Sequence, residues 1–211
     1  CRCASRRPLV PGLQRRTATL VLRAFKTVVA MADRLGHGVQ VFLSDNGKEF
    51  MSTDFQETCR SLGIQQQMST PHRQDQNGVS ERLWRTLCEA TVTLLAQSGF
   101  PPSFWYFGFQ ITVYLHNRIR SDPSPYSSFL GSQPHLPVLQ PFGCMAFSLQ
   151  PKVLRRKMQS RIRPTWFLGY SPESKGAYKL YYPPTGEVLV RRDVTFLPHV
   201  FYGSTHVGVR T

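Results

Sequence analysis

Apolar side chains along this chain follow a helical rhythm in four stretches and fall into short β-rich runs elsewhere. Residues 23–35 put Phe25, Val28, Val29, Ala32 and Leu35 on one side of a helix. Gly36 and Gly38 punctuate it, and the β-branched run 39–43 reads as a buried strand. Asp45 sits at the C-terminal edge of that run, where side chains of α/β sheets emerge towards ligands. A second helix is expected over 53–62, opened by a capping box from Thr53 to Gln56 and closed by Gly63, with a strand over 64–69 after it. Residues 70–78 have no period and are rich in loop formers. The helical pattern returns over 79–98, with Val79, Leu83, Leu87, Ala90 and Leu94 inward and Gly99 as the stop. Glu81 falls in the first turn of that helix, off its apolar stripe. Pro101 and Pro102 begin a fourth helix to about Arg118, whose aromatics, Phe104 to Phe107, Phe109 and Tyr114, read as core.

Prolines and serines then dominate residues 119–138, which read as a linker or irregular connection. Five short strands follow, 145–149, 165–170, 177–182, 188–192 and 194–197, separated by turn signals such as Ser171-Pro172 and Thr185-Gly186. That spacing predicts a small antiparallel barrel. The expected organisation is therefore an α/β domain over 1–120, a linker over 121–138, an all-β domain over 139–200 and a tail over 201–211.

Charge changes the picture more than composition does. Hydrophobic residues make up 41% of the 211 positions, enough for a folded core. The 26 Lys and Arg outnumber the 12 Asp and Glu, a formal net charge of +14, which predicts a polyanionic partner but no particular activity. Cysteines at 1, 3, 59, 88 and 144 have no zinc spacing and read as small hydrophobes in a reducing compartment. No apolar run approaches the roughly 18 to 20 residues of a membrane span, and no signal peptide is visible, so no membrane partner is expected. The chain opens on Cys1 rather than Met, and the expectation is a fragment of a longer protein.

Two carboxylates stand in specific contexts, Asp45 in S-D-N-G-K-E-F and Glu81 in Q-N-G-V-S-E-R. Hard anionic oxygens are what Mg²⁺ or Mn²⁺ requires, and three carboxylates can hold two ions about 3.5 to 4 Å apart for phosphodiester transfer. The alternative for Glu81 is an exposed helix face on which it pairs with Arg85, worth about 0.3 to 0.5 kcal/mol.

In order along the chain, S-D-N-G-K-E-F, G-I-Q-Q-Q-M-S-T-P, Q-N-G-V-S-E-R-L-W-R-T-L, P-P-S-F-W, Y-L-H-N-R, F-G-C-M-A, F-L-G-Y-S, S-K-G-A-Y and R-R-D-V-T-F resemble the integrase region of a copia-type LTR retrotransposon Pol polyprotein. Each motif is loose, but nine in the right order are not chance. The resemblance implies an α/β RNase H-like integrase core, N-terminally incomplete here, followed by a small all-β SH3-like barrel. It implies DNA integration by two-metal polynucleotidyl transfer, with two Mg²⁺ or Mn²⁺ ions in an intact site. Asp45 matches the second catalytic, metal-binding carboxylate and Glu81 the third. Gln76, Asn77 and Gly78 match a mobile DNA-contacting loop, with Arg82, Arg85 and Lys48 placed to meet phosphates. The implied partners are element ends and target DNA, the implied assembly a homo-oligomer, and the implied location the nucleus.

The departures bear on activity. Reading upstream from Leu13-Gln14-Arg15-Arg16, the first-carboxylate context D-D-x-S-R falls on Arg2-Cys3-Ala4-Ser5-Arg6, and no Asp or Glu precedes Asp33. A cation there repels the metals it should ligate, by about 4 kcal/mol per unit charge pair 4 Å apart at an effective dielectric near 20. Val10-Pro11-Gly12 would break the strand expected at that point. Arg73-Gln74-Asp75 replaces the proline and glutamine usual in the loop, and the His2Cys2 zinc module that precedes such cores is not in these residues. The expected function is an integrase fragment with impaired catalysis. The alternatives are a non-catalytic, basic DNA-binding relic or co-opted fragment and, on the same scaffold, a nuclease.

Overall fold

The computed structural model describes residues 17–44, 47–68, 74–119, 124–132, 139–150, 161–172, 174 and 176–205. Its residues fall into two compact units, one ending at Trp84 and the other starting at Arg85. Arg2 and the Val10-Pro11-Gly12 segment lie outside the described residues, as does Asp45.

In the first unit, helix α1 runs Ala18–Arg34, starting earlier than its apolar stripe suggested. Thr17 caps it, its side-chain oxygen accepting from the Leu20 amide at 3.4 Å, and nothing between Ala18 and Leu22 breaks a helix. Strands β1, Val41–Ser44, and β2, Gln65–Met68, pair in parallel with Val41 opposite Gln65 and Ser44 opposite Met68. Helix α2, Thr53–Ser61, supplies the crossover that parallel strands require. Its N-cap is Ser52, one residue before the predicted box, and the Ser52 hydroxyl donates to the Glu49 carbonyl instead of capping. Phe25, Val29, Phe55, Cys59 and Ile64 form the core, with Phe42 and Phe50 packed against it. Ring centroids lie 4.8 Å apart for Phe25 and Phe55 and 5.4 Å for Phe42 and Phe55, both tilted contacts.

Helix α3 runs Gln74–Ser98. It corrects the reading of 70–78 as loop, because residues 74–78 are already helical. Once a long periodic stretch has nucleated a helix, one further turn adds a hydrogen bond per residue, and Gln tolerates it well enough to carry Gly78 along.

The second unit takes the C-terminal part of α3, a 3₁₀ turn at Pro102–Phe104, helix α4, Trp105–Ile119, and helix α5, Pro125–Leu130. Helices α3 and α4 meet through small residues: the Thr91 hydroxyl donates to the Leu87 carbonyl at 2.7 Å and lies 3.1 Å from the Thr112 hydroxyl, and a Cβ on Gly108 would stand 3.3 Å from Thr91 Cγ2. Strands β3, Cys144–Leu149, β4, Ile162–Tyr170, β5, Tyr178–Tyr182, β6, Glu187–Arg191, and β7, Val194–Phe201, form one antiparallel sheet in the order β6-β5-β4-β3-β7. Register shifts at Cys144/Met145 and Phe167/Gly169 mark the bulges that bend such small sheets. Phe100 and Ile111 of the helical part share one core with Phe142, Cys144, Ala146, Trp166, Phe167 and Leu180 of the sheet part. Burial pushes the Cys144 thiol up to about 12 and the Tyr170 hydroxyl likewise.

The segments read as linker and tail each contain a short helix among their described residues. Within the 121–138 connection, Ser124 caps α5 with Pro125 as its first residue, and Gly131 ends it in the left-handed conformation at φ 67°. After residue 200, the chain continues into Phe201 and a short helix α6, Tyr202–Thr205, with Tyr202 stacked on Phe100 at 4.4 Å. Residues 206–211 lie outside the described residues. Among the described residues no helix is long and apolar enough to cross a membrane.

Candidate functional site

Strand β1 delivers the chain to the position of Asp45, matched above to the second carboxylate. Its last residue, Ser44, is only 6% exposed and sits opposite Met68, so Asp45 follows directly from the C-terminal end of a parallel strand pair. Asp45 itself lies outside the described residues, and its neighbours on the far side are held tightly. The Phe50 amide donates to the Gly47 carbonyl at 2.9 Å and the Met51 amide to Lys48 at 3.3 Å, a compact turn. Gln66 on β2 donates its amide to the Phe50 carbonyl at 2.9 Å, while the Phe50 ring packs on Phe42 and Phe55 at 5.6 and 5.4 Å. Lys48 is exposed on this turn. No pattern in the sequence announced the Gln66 clamp, because a glutamine in a strand carries no signal of where its amide reaches.

Glu81, matched above to the third carboxylate, rests on α3. Because the helix starts at Gln74, Glu81 lies about two turns in rather than in the first turn, beyond the reach of the positive helix end. It is exposed, as its place off the apolar stripe predicted. Gly78, Arg82 and Arg85 share its side of α3 at three- and four-residue spacing, and both arginines are exposed. Arg82 Nη1 lies 3.9 Å from where a Cβ on Gly78 would stand, so the guanidinium folds back along the helix over the glycine. Trp84, 57% exposed, adds an aromatic surface to the same segment that the periodicity did not single out. Gln76 and Asn77 have helical backbone, which corrects their placement in a mobile loop; their side chains lie outside the described residues. The structure thus gathers Gly78, Glu81, Arg82 and Arg85 on one helix segment and sets Lys48 on the turn after β1. Among the described residues no three His, Cys, Asp or Glu side chains gather into a metal-holding group.

Residues 2–74 match the integrase core domain family and residues 144–209 the retroviral polymerase SH3-like domain family. The chain belongs to the integrase region of copia-type retrotransposon Pol polyproteins. Its RNase H-like integrase core and SH3-like domain follow one another in the expected order. It is 34% identical over 186 residues to the retrovirus-related Pol polyprotein from transposon TNT 1-94 of Nicotiana tabacum, covering 86% of this chain and 14% of that protein. It is 31% identical over 192 residues to the corresponding polyprotein from transposon RE2 of Arabidopsis thaliana, covering 89% of this chain and 13% of that protein. The chain therefore spans a small part of these curated relatives. Among solved structures, the catalytic core domain of BIV integrase aligns with a TM-score of 0.45 at 20% identity, over 56% of this chain and 74% of that one. In this integrase region Asp45 lies inside the matched core segment, Arg2 at its first residue, and Glu81 beyond its end at residue 74.

Proposed function

We propose that this chain is the DNA-handling part of an integrase whose parent protein joins element ends to target DNA, and that the chain itself binds DNA without joining it. The observation that carries the first half is the succession of an integrase core match and an SH3-like match along one strongly basic chain. The second half rests on Arg2, which stands at the first-carboxylate position.

The donor set explains the division. Asp45 and Glu81 are hard oxygen ligands of the kind Mg²⁺ or Mn²⁺ takes, and they suit one ion. Two ions need bridging carboxylates from a third position, and a guanidinium there supplies none. When bound in an intact integrase, a divalent ion activates the attacking oxygen or steadies the leaving one. What this chain's own residues do is electrostatic: Arg82, Arg85 and Lys48 neutralise phosphates, with Gln76, Asn77 and Gly78 contributing from the first turns of α3, and binding weakens steeply with salt. The same reading makes the parent a nuclear, multimeric enzyme, since its substrate is chromosomal DNA and two element ends must be held together.

An oligonucleotide assay with Mg²⁺ or Mn²⁺ that separates strand transfer, simple cleavage and binding tests this. The expected result is duplex binding without transfer, and unchanged binding in Glu81→Gln. Metal-dependent transfer by the chain as it stands would refute the impaired reading. Transfer that survives Glu81→Gln would refute the site.

A further inference from the structure

The outer face of α1 takes no part in the site above. Its inner side buries Phe25, Val29 and Ala32, while Arg23, Lys26 and Arg34 on the other side are all exposed, and Asp33 is the helix's one acidic residue. At about 100° per residue, Arg23, Thr27, Ala30 and Arg34 fall in a single strip with Lys26 on its flank. The Thr27 hydroxyl donates to the Arg23 carbonyl at 2.9 Å, so the side chains between the two arginines are short and their one polar group is already satisfied. All three cations line an open groove of about 850 Å³, together with the apolar side chains of Leu22, Met31 and Leu35. From Arg23 to Arg34 the strip runs about 16 Å at 1.5 Å rise per residue.

This arrangement narrows the occupant. A second copy docked two-fold through the strip would set its cations against themselves, a costly contact. An apolar partner would cover Leu22, Met31 and Leu35 but would also strip water from three charges that it cannot pair. Single-stranded nucleic acid is held largely by stacking on aromatic rings, and the one aromatic residue of α1, Phe25, is buried. A duplex backbone carries phosphates every 3.4 Å or so of axis on each strand and meets all three cations at once. We propose that the outer face of α1 is a phosphate-backbone contact for duplex DNA, separate from the Asp45 and Glu81 site. It rests on the DNA-binding half of the function proposed above and not on the carboxylate chemistry.

The test is salt-dependent binding of a short duplex by fluorescence anisotropy, with EDTA present so that no metal chemistry enters. Replacing Arg23, Lys26 and Arg34 together by Gln is expected to flatten the log–log salt slope by about 2.7, or about 0.9 per cation, and to weaken binding on the order of a hundredfold at physiological salt. A control losing the exposed cations Arg60, Arg161 and Arg192 to Gln keeps the net charge matched. An unchanged slope in the α1 variant, or an equal loss in the control, overturns the proposal while leaving DNA binding intact; no duplex binding by the unaltered chain overturns both. Acetylation of Lys26 in the unaltered protein gives a second readout that needs no variant: duplex should protect it, and equal labelling with and without DNA counts against the contact.

Discussion

Ser44 shows how a single residue can be placed for reasons other than its own stability. Its hydroxyl is buried, and it finds no hydrogen-bond partner among the described residues, immediately before the carboxylate position. An unsatisfied buried hydroxyl costs about 1 to 3 kcal/mol, and removing it leaves only a small void. Ser44→Ala is therefore expected to raise stability by about 1 kcal/mol, read as a higher urea midpoint at unchanged slope. A lower midpoint would mean that the hydroxyl has a partner in the folded state. Asp45 and Glu81 were legible as candidates from their flanking motifs, and Glu81's exposure followed from its place off the apolar stripe. Its depth in the helix was not legible, because helix starts are set by weak local preferences that a stable downstream helix overrides.

At the scale of elements, α5 is the clearest gain over the pattern of residues. A six-residue helix buries too little to declare itself by periodicity, and what holds it is a stack assembled from distant positions. The Arg118 guanidinium lies 3.5 Å from the Tyr114 ring centre and 4.5 Å from that of Tyr126, and Tyr114 stacks in turn on Tyr170 at 4.2 Å. Arg118 Nη1 also donates to the Tyr114 carbonyl at 3.3 Å. A planar guanidinium fills this sandwich and a lysine ammonium does not, with about 1 to 2 kcal/mol at stake in such a desolvated contact. Arg118→Lys should speed amide exchange in α5 by about tenfold while the sheet amides keep their protection. Uniform exchange across both would show that the stack does not fasten the helix.

At the scale of the whole molecule, the second unit is closed by contact between its first and last described parts. Gly99, at φ 71°, ends α3, and a Cβ there would stand 2.3 Å from Gly203 Cα in the final short helix. The Tyr202 amide donates to the Gly143 carbonyl at 3.1 Å, and the Gly143 amide to Phe167 at 2.8 Å, so α3, the sheet and α6 interlock through backbone. Gly99→Ala adds a left-handed strain of about 1 to 2 kcal/mol to a steric clash, and thermal melting should fall by several degrees or more. Gly38→Ala, with no neighbour within 4 Å, is the tolerated comparison. Equal melting of the two variants would mean that the glycine contact is loose. Of the fold, the sequence alone determined what depends on near neighbours: the periods of the helices, the five strand positions, the excess of positive charge and the ordered motifs of the integrase region. Tertiary structure decided what depends on residues far apart in the chain. It joined Phe100 and Ile111 to the core of the sheet, pinned the turn after β1 through Gln66, ordered α5, and left the cations of α1 facing outward together. Periodicity records which side of an element is apolar, whereas only the packed chain fixes which surfaces meet and which are left to a partner.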